Sequence, residues 1–112
     1  MTNTSARRLQ KNAPLFAALG DKTRLSLLVK LGEGQLHSVT SLAKGASLSR
    51  QAIRKHLSVL EDVGMVHGVK QGREHLFRYD PKPIEELRLS LAEISRQWDE
   101  SLLRLKAFVE EK

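Results

Sequence analysis

Residues 49–79 constrain the fold of this 112-residue chain more than any other stretch, and their sequence is SRQAIRKHLSVLEDVGMVHGVKQGREHLFRY. Apolar side chains recur at helical spacing in the first half and predict a buried stripe, formed by Ile53, Leu57, Leu60 and Val63. Ser49 is a suitable N-cap for this helix, and Gly64 suits the left-handed stop that ends it. The runs 65–70 and 74–79 flank a Gly-Arg turn and predict a β-hairpin. The stretch therefore predicts a capped helix followed directly by a basic hairpin.

The opposite face of the predicted helix carries side chains suited to DNA. With the stripe buried, this face presents Arg50, Gln51, Arg54, Lys55 and Ser58. Arginine can bridge the two acceptors of guanine, glutamine can pair with adenine, and lysine or serine can bind phosphate. The free amides near Ser49 also favour phosphate at the helix N-terminus. For such a helix alone a solvated basic face is the alternative, but the turn before it and the hairpin after it favour DNA contact.

The hairpin and one histidine add candidate DNA contacts. Arg73 at the hairpin tip, with Lys70 and Arg78 near it, suits a wing that contacts phosphate or enters the minor groove. Alternatively, Arg73 is a turn residue that only faces solvent. His56 lies beside the buried stripe, where it either donates to a phosphate or packs against the hairpin, and the sequence favours neither.

The residues before this stretch predict a flexible arm and two helices. Residues 1–12 are polar and basic, and we expect them to form the arm. A helix begins near Pro14, a residue suited to the first helical turn, and runs to Gly20. Asp21 caps the next helix, whose predicted inward residues are Leu25, Leu28, Val29 and Leu31.

A third short helix precedes the basic helix and defines the fold class. Ser38 is a suitable N-cap for it, and its apolar residues Val39, Leu42 and Ala43 point toward the core. A tight turn then leads into the helix that begins at Ser49. Two helices joined in this way pack at a steep angle, which presents the second one to a partner. The predicted fold is mainly α with a small β-hairpin wing (α+β), a winged helix-turn-helix over residues 13–80.

Residues 81–112 predict a long C-terminal helix of the same domain. A heptad pattern defines two seam positions along it, occupied by Ile84, Leu87, Leu91, Ile94, Trp98, Ser101, Leu105 and Phe108. A helix of nearly thirty residues is about 40 Å long, which is longer than a small winged domain covers alone. We therefore expect a homodimer through these terminal helices, with packing on the chain's own domain as the alternative. Leu15 and Phe16 in the first helix are further candidate interface residues.

Charge and composition restrict the partners and the chemistry. The net charge of +6 and a pI near 10.0 favour a polyanionic partner, nucleic acid before membrane. The chain has no cysteine, which excludes disulfides and thiolate zinc sites. It also lacks a Gly-rich phosphate loop and a paired-carboxylate site, so neither an enzyme nor a cofactor is predicted. No apolar run is long enough for a signal peptide or a membrane span, and we expect a cytoplasmic protein.

Three motifs resemble those of one known family. They are LGDKTRLSLLVKL at 19–31, LSRQAIRKHLSVLEDVGMV at 48–66 and QGREHLFRYD at 71–80. In this order they are similar to the ArsR family of bacterial winged-helix repressors, over nearly the whole chain after residues 1–12. The resemblance implies a homodimer with a recognition helix over residues 49–64 and a wing tip over residues 71–74.

The chain departs from the metal-sensing members of that family. Those members carry paired cysteines in the helix that matches residues 38–44, here SVTSLAK, or His, Asp and Glu ligands along the terminal helix. This chain has no cysteine, and no histidine follows His75. His37, His67 and His75 lack the i, i+4 spacing of a metal-binding pair. We therefore expect no metal site and no regulation by metal.

Two functions fit these residues. The first is a sequence-specific homodimeric repressor that binds a palindromic operator in double-stranded DNA. The second is a non-sequence-specific or RNA-binding module that uses the same basic surface. Base-contacting side chains at Arg50, Gln51 and Arg54, together with the shortage of exposed aromatic residues, favour the first function. The residues indicate no particular small-molecule inducer.

Overall fold

The computed structural model describes residues 2–111, with side chains from residue 6 onward. Its elements in chain order are α1 (Thr2–Lys11), α2 (Ala13–Leu19), α3 (Lys22–Leu31), β1 (His37–Ser38), α4 (Val39–Ala43), α5 (Arg50–Asp62), β2 (Val66–Gln71), β3 (Glu74–Tyr79) and α6 (Lys82–Glu110). Helices make up most of the chain, and the strands form one antiparallel sheet in the order β1-β3-β2. The predicted fold, mainly α with a small hairpin wing, is confirmed.

The first helix corrects the prediction of a flexible arm over residues 1–12. α1 covers Thr2–Lys11 and packs along α6, whereas Met1 lies outside the described residues. Asn12 follows α1, is buried, and donates a hydrogen bond from Nδ2 to Ser90 Oγ of α6 at 3.3 Å. The arm was predicted because α1 has few apolar residues. Its helix is supported by contact with a distant segment, which local spacing does not reveal.

The next helix is capped as predicted, but it buries a different face. Asp21 Oδ2 accepts a hydrogen bond from the Arg24 backbone N–H at 3.0 Å, which confirms the cap. The core residues of α3 are Leu27, Leu28 and Leu31. Leu25 and Val29, one turn apart, lie on the other side and are exposed by 45% and 69%, so their predicted inward position is wrong. With apolar residues on more than one face, the spacing of this helix did not determine which face is buried.

The helix-turn-helix is formed by α4 and α5 as predicted. Ser38 Oγ accepts from the Ser41 backbone N–H, and Gly45 has the positive φ of 78° that the turn requires. α5 contributes Ile53, Leu57 and Leu60 to the core. Gly64, with a φ of 78°, ends the helix and directs the chain into β2. The core therefore lies between α3, α5, the sheet and the start of α6.

The hairpin is also present, and it is extended by a strand that no sequence pattern indicated. β2 and β3 pair in a register that places Lys70 opposite His75 and Gln71 opposite Glu74. Gly72, with a φ of 61°, closes the two-residue turn that it forms with Arg73. β1 adds only His37 and Ser38 at the other edge of β3, and two residues are too few to show a strand periodicity.

The terminal helix extends well beyond the packed domain. α6 has 29 residues and is therefore about 43 Å long. Among the described residues it buries only Leu87 and Ser90, both in its first third. The molecule measures 70 × 26 × 21 Å, and this elongation reflects the projecting second half of α6.

Candidate nucleic-acid interface

One face of α5 is polar, basic and exposed along its first three turns. It contains the five side chains predicted there, which we call the recognition face: Arg50, Gln51, Arg54, Lys55 and Ser58. The hydrogen bonds and ion pairs found among residues 6–111 leave the side chains of Arg50, Arg54 and Lys55 without a partner. Their donors are therefore available to a molecule outside the chain. The acidic residues Glu61 and Asp62 lie at the far end of α5 and leave the positive charge of its first half uncompensated.

The start of α5 is fixed by a side-chain cap. Ser49 Oγ accepts a hydrogen bond from the Ala52 backbone N–H at 3.1 Å, and Ser49 itself is exposed. Because no acidic residue lies in the first turn, the positive end of the helix dipole is not neutralised from within α5. This end of the helix therefore suits an anion, as the sequence predicted.

The wing places further basic side chains in solvent. Lys70, Arg73 and Arg78 are all exposed, and Arg73 lies in the turn between β2 and β3. The hairpin is also packed by one of its own side chains. The His75 ring stacks on Phe77 with centroids 4.8 Å apart, and its Nε2 lies only 2.6 Å from the place that a Cβ on Gly68 would occupy. A side chain at Gly68 would displace that ring, so this glycine allows the stacked packing of the wing.

The base of the wing is tied to the start of α6 through Asp80. Its Oδ2 lies 2.8 Å from His67 Nε2, and its Oδ1 accepts a hydrogen bond from the Lys82 backbone N–H at 3.0 Å. The pKa of Asp80 lies below its ordinary value, mainly because of the Lys82 backbone N–H and then because of His67. Asp80 therefore links the base of the wing to the start of α6.

His56 occupies a place that no sequence pattern indicated. Its Nδ1 lies 3.7 Å from Asp21 Oδ2 and 3.4 Å from Arg24 Nη1, so the ring packs against the start of α3. The pKa of Asp21 lies below its ordinary value, mainly because its carboxylate accepts from the Arg24 backbone N–H, with His56 a smaller cause. The His56 side chain remains 23% exposed, so it borders the recognition face without belonging to it.

Arg24 is a site residue that sequence reasoning missed. Its Nε donates to the Ala18 carbonyl at 2.6 Å and its Nη2 donates to the Ala17 carbonyl at 3.2 Å, which caps the end of α2. The same guanidinium lies beside His56 of α5. Arg24 thus connects α2, α3 and the recognition helix. The sequence signal that could have indicated this role is an arginine three residues after a capping aspartate.

The described residues contain neither a metal-ligand cluster nor a membrane-spanning helix. No group of three or more His, Asp or Glu side chains within this part of the chain is placed to hold a metal ion. His37 instead makes a 3.0 Å hydrogen bond with Ser41 Oγ. None of the described helices is long and apolar enough to cross a membrane.

The predicted interface residues fall into two groups. Leu87 is buried within the chain, and Leu15, Phe16 and Ile84 pack against the core. Ile94 is half-buried. The second group contains Leu91, Trp98 and Leu105, which lie on a narrow apolar surface along α6. This surface also includes Leu102 and Val109, and we call it the exposed seam: Leu91, Trp98, Leu102, Leu105 and Val109. Each of these five is more than half exposed, so the chain itself covers only one side of the predicted stripe.

Comparisons with known proteins agree with this geometry. A helix-turn-helix domain family model matches residues 19–69, from the end of α2 into β2. The uncharacterized HTH-type transcriptional regulator YuzN of Bacillus subtilis is 37% identical over 79 residues, which cover 65% of this chain and 86% of YuzN. The HTH-type transcriptional regulator Rv2034 of Mycobacterium tuberculosis is 32% identical over 87 residues, which cover 78% of each chain.

A solved structure resembles the whole chain. An ArsR-like transcriptional regulator from Rhodococcus sp. RHA1 is 38% identical, with a TM-score of 0.86, and the alignment covers 100% of this chain and 99% of that one. The similarity therefore includes α1 and α6 as well as the helix-turn-helix.

Proposed function

Because this chain belongs to the ArsR family of winged helix-turn-helix transcriptional regulators, we propose that it is a homodimeric, sequence-specific repressor of a palindromic operator. As a member of this family the chain is a DNA-binding transcriptional regulator. Two identical subunits related by a twofold axis recognise a site with matching symmetry. A bound dimer represses transcription when its operator overlaps the site that a polymerase needs.

The recognition face gives this proposal its main support. Its basic side chains have no partner among the described residues, and α5 itself is capped and packed against the core. Arg50, Gln51 and Arg54 have the chemical types that contact base edges in a major groove. Lys55, Ser58 and Ser49 are suited to the phosphates on either side. Because Ile53 and Leu57 lock the opposite face of α5 into the core, the helix is positioned before DNA arrives, and little ordering cost accompanies binding.

The wing and His56 complete the proposed contact surface. Lys70 and Arg73 extend the positive surface beyond α5, where they would contact the backbone or the minor groove. We include His56 in the contact surface, because its partly exposed ring borders the recognition face and can donate to a phosphate.

The exposed seam supports the homodimer. It displays a tryptophan, three leucines and a valine along one side of α6, and a contiguous apolar surface of this kind marks an association site. Pairing two copies would bury this surface and would present two recognition helices to successive major grooves, roughly 34 Å apart. We also propose that the protein works in the cytoplasm and has no catalytic activity. No inducer is assigned.

The competing function is a non-sequence-specific or RNA-binding module, and direct binding measurements separate the two. We expect duplexes selected from random sequence to be palindromic and to bind in the range of about 10⁻⁸–10⁻¹¹ M, at least roughly 10³-fold more tightly than random duplex. Fluorescence anisotropy at one fixed salt concentration would compare selected duplex, random duplex and single-stranded RNA. Equal affinity for the two duplexes, or a preference for RNA, would contradict sequence-specific repression.

We further propose that metal does not control DNA binding. The chain has no cysteine for a thiolate site, and α6 contains no histidine. We therefore expect zinc, cadmium or arsenite, titrated into the protein–operator complex to protein stoichiometry, to leave its affinity unchanged. The same titration with the metals first chelated is the control. Stoichiometric release of DNA by any of the three would reveal a site formed by the histidines.

A further inference from the structure

An apolar groove, which we call the α3 groove, lies between α3, the end of the wing and the start of α6. Its volume is about 470 Å³, which lies within the range of about 300–1,000 Å³ typical of small-molecule sites. The apolar side chains of its lining come from three helices and are Leu19, Leu25, Leu28, Val29 and Ile84. Leu25 and Val29 are 45% and 69% exposed. A ligand that covers these side chains would gain free energy from the burial of apolar surface.

Two polar side chains complete the lining of the α3 groove. Glu33 provides its one charged group and Tyr79 its one hydroxyl group. Within residues 6–111, neither the carboxylate nor the hydroxyl group has a hydrogen-bond or ion-pair partner. Burial, and then the charge of Asp80, raise the pKa of Tyr79, so its hydroxyl group keeps its proton and can donate or accept a hydrogen bond. Both groups are therefore available to the polar end of a ligand.

The charge of the α3 groove favours a cation. Glu33 is acidic, and no basic side chain lies among the lining residues. Glu33 also follows Gly32, which caps the C-terminal end of α3, and this end of a helix dipole favours positive charge. Lys30, the basic residue in the last turn of α3, is not part of the lining. An anion in this groove would face the Glu33 carboxylate without a positive partner.

α3 connects the α3 groove to the recognition helix α5. Leu28 lines the groove and is buried in the same core cluster as Ile53 of α5. At the other end of α3, Asp21 and Arg24 contact His56 of α5. A ligand that changes the position or mobility of α3 would therefore act on the helix that carries the recognition face.

We propose that the α3 groove binds a small organic cation with an apolar body, and that its occupancy changes the affinity for DNA. The ammonium group pairs with Glu33 and lies within reach of Tyr79, while the apolar body covers Leu25 and Val29. None of the five residues of the exposed seam lines this groove, so the two surfaces are separate. The regulatory part of the proposal rests on the proposed function, whereas the binding site does not.

Three probes with the same ring test the site directly. They are 1-naphthylmethylamine, 1-naphthylmethanol and 1-naphthoate, which are cationic, uncharged and anionic at neutral pH. Isothermal titration calorimetry on the full chain should show one amine bound per chain, weaker binding of the alcohol and no measurable binding of the naphthoate. Because the ring is constant, the differences report the head group alone. Naphthoate binding as tight as that of the amine, or no binding of the amine, would overturn the proposal.

The contact with Glu33 is tested by removing its charge. Glu33→Gln should weaken amine binding roughly 3–5-fold, as expected for the loss of an exposed ion pair, and should leave the alcohol unaffected. Glu86→Gln is the matched control, since it removes the same charge at an exposed residue of α6 outside the lining. An equal loss in both variants would show that the amine responds to net charge and not to Glu33.

The position of the site is tested on its apolar wall. Val29→Arg should abolish amine binding, because it adds a positive charge to the groove, and the exposure of Val29 leaves the core intact. Leu89→Arg is the matched control on the exposed surface of α6, outside the lining, and should bind the amine like the parent protein. Unchanged binding to Val29→Arg would place the amine elsewhere and contradict the assignment.

A second copy of the chain is the competing occupant of the α3 groove. If a partner subunit covered the groove, the amine would bind only as the subunits separate, and its affinity would fall as the protein concentration rises. We expect sedimentation velocity to give the same oligomeric state with and without saturating amine. Release of monomers by the amine would overturn the small-molecule site.

Operator binding with and without the amine tests regulation. We expect saturating amine to change operator affinity roughly 5-fold or more, and the operator to change amine affinity by the same factor. Val29→Arg should show no such response, which controls for binding of the amine to DNA itself. Unchanged operator affinity with the groove occupied would overturn the regulatory role. A protein that binds the amine but does not distinguish operator from random duplex would contradict the proposed repressor and support the binding site.

Discussion

Leu91→Glu is expected to abolish operator binding while leaving the DNA-binding domain folded. Leu91 is 51% exposed in the single chain, so a carboxylate at this position stays hydrated in the monomer. In the paired seam the same carboxylate would be buried without a partner. An uncompensated buried charge costs about 3–5 kcal/mol, which weakens dimerisation roughly 100-fold or more. A monomer keeps one recognition helix and loses half of the contacts with the operator.

Leu89→Glu is the matched control for this variant. Leu89 is 50% exposed, nearly the same as Leu91, but it lies on the opposite side of α6 from the exposed seam. Sedimentation velocity, circular dichroism and operator affinity should show a folded monomer for Leu91→Glu and a folded, DNA-binding dimer for Leu89→Glu. If Leu91→Glu remains dimeric and binds its operator normally, the interface lies elsewhere, and the surface around Leu15 and Phe16 becomes the next candidate.

The sequence predicted the helix-turn-helix well because its signals are local. Ser38 and Ser49 cap their own helices, Gly64 ends α5, and the turn at Gly72 closes the wing, all within a few residues of the pattern that indicated them. The recognition face followed directly from the buried stripe of α5, since a helix with one clear apolar face leaves the other face to solvent.

The parts that the sequence did not predict depend on distant contacts. α1 is supported by α6, with the buried pair Asn12 and Ser90 78 residues apart in the chain. His56 packs against Asp21 and Arg24, which precede it by more than thirty residues. No local spacing contains information about either contact.

The apolar stripe predicted for α6 did not distinguish the residues that pack within the chain from those that stay exposed. One side of the stripe packs within the chain through Leu87 and Ile84, and the other side is exposed through Leu91 and Trp98. Heptad spacing identifies an apolar face, but it does not say whether that face contacts its own domain or a second copy. The three-dimensional structure shows which side of the stripe packs within the chain and which side stays exposed, and variants on the exposed side test the proposed dimer.

We propose that the recognition face of α5 distinguishes one DNA sequence from another. Arg54 lies in the middle of that face, is exposed, and has no partner among the described side chains. We expect Arg54→Ala to lose about 1–3 kcal/mol on the selected operator, or roughly 5–150-fold in affinity, with a much smaller loss on random duplex. The reason is that base-edge contacts form only with the matching sequence.

Arg73→Ala provides the contrast, because the wing tip is proposed to contact phosphate. This variant should weaken binding to operator and random duplex alike. It should also reduce the slope of log affinity against log salt by about two, because each subunit of the dimer loses one phosphate contact. Both variants change an exposed arginine to alanine, so a general effect of lost charge appears equally in each.

The most direct measurement is therefore the ratio of operator affinity to random-duplex affinity, determined by anisotropy across a salt series for the parent protein and both variants. We expect Arg54→Ala to lower this ratio, and we expect Arg73→Ala to leave it unchanged while flattening the salt dependence. If Arg54→Ala binds the operator as tightly as the parent protein, α5 does not contact the bases through this face.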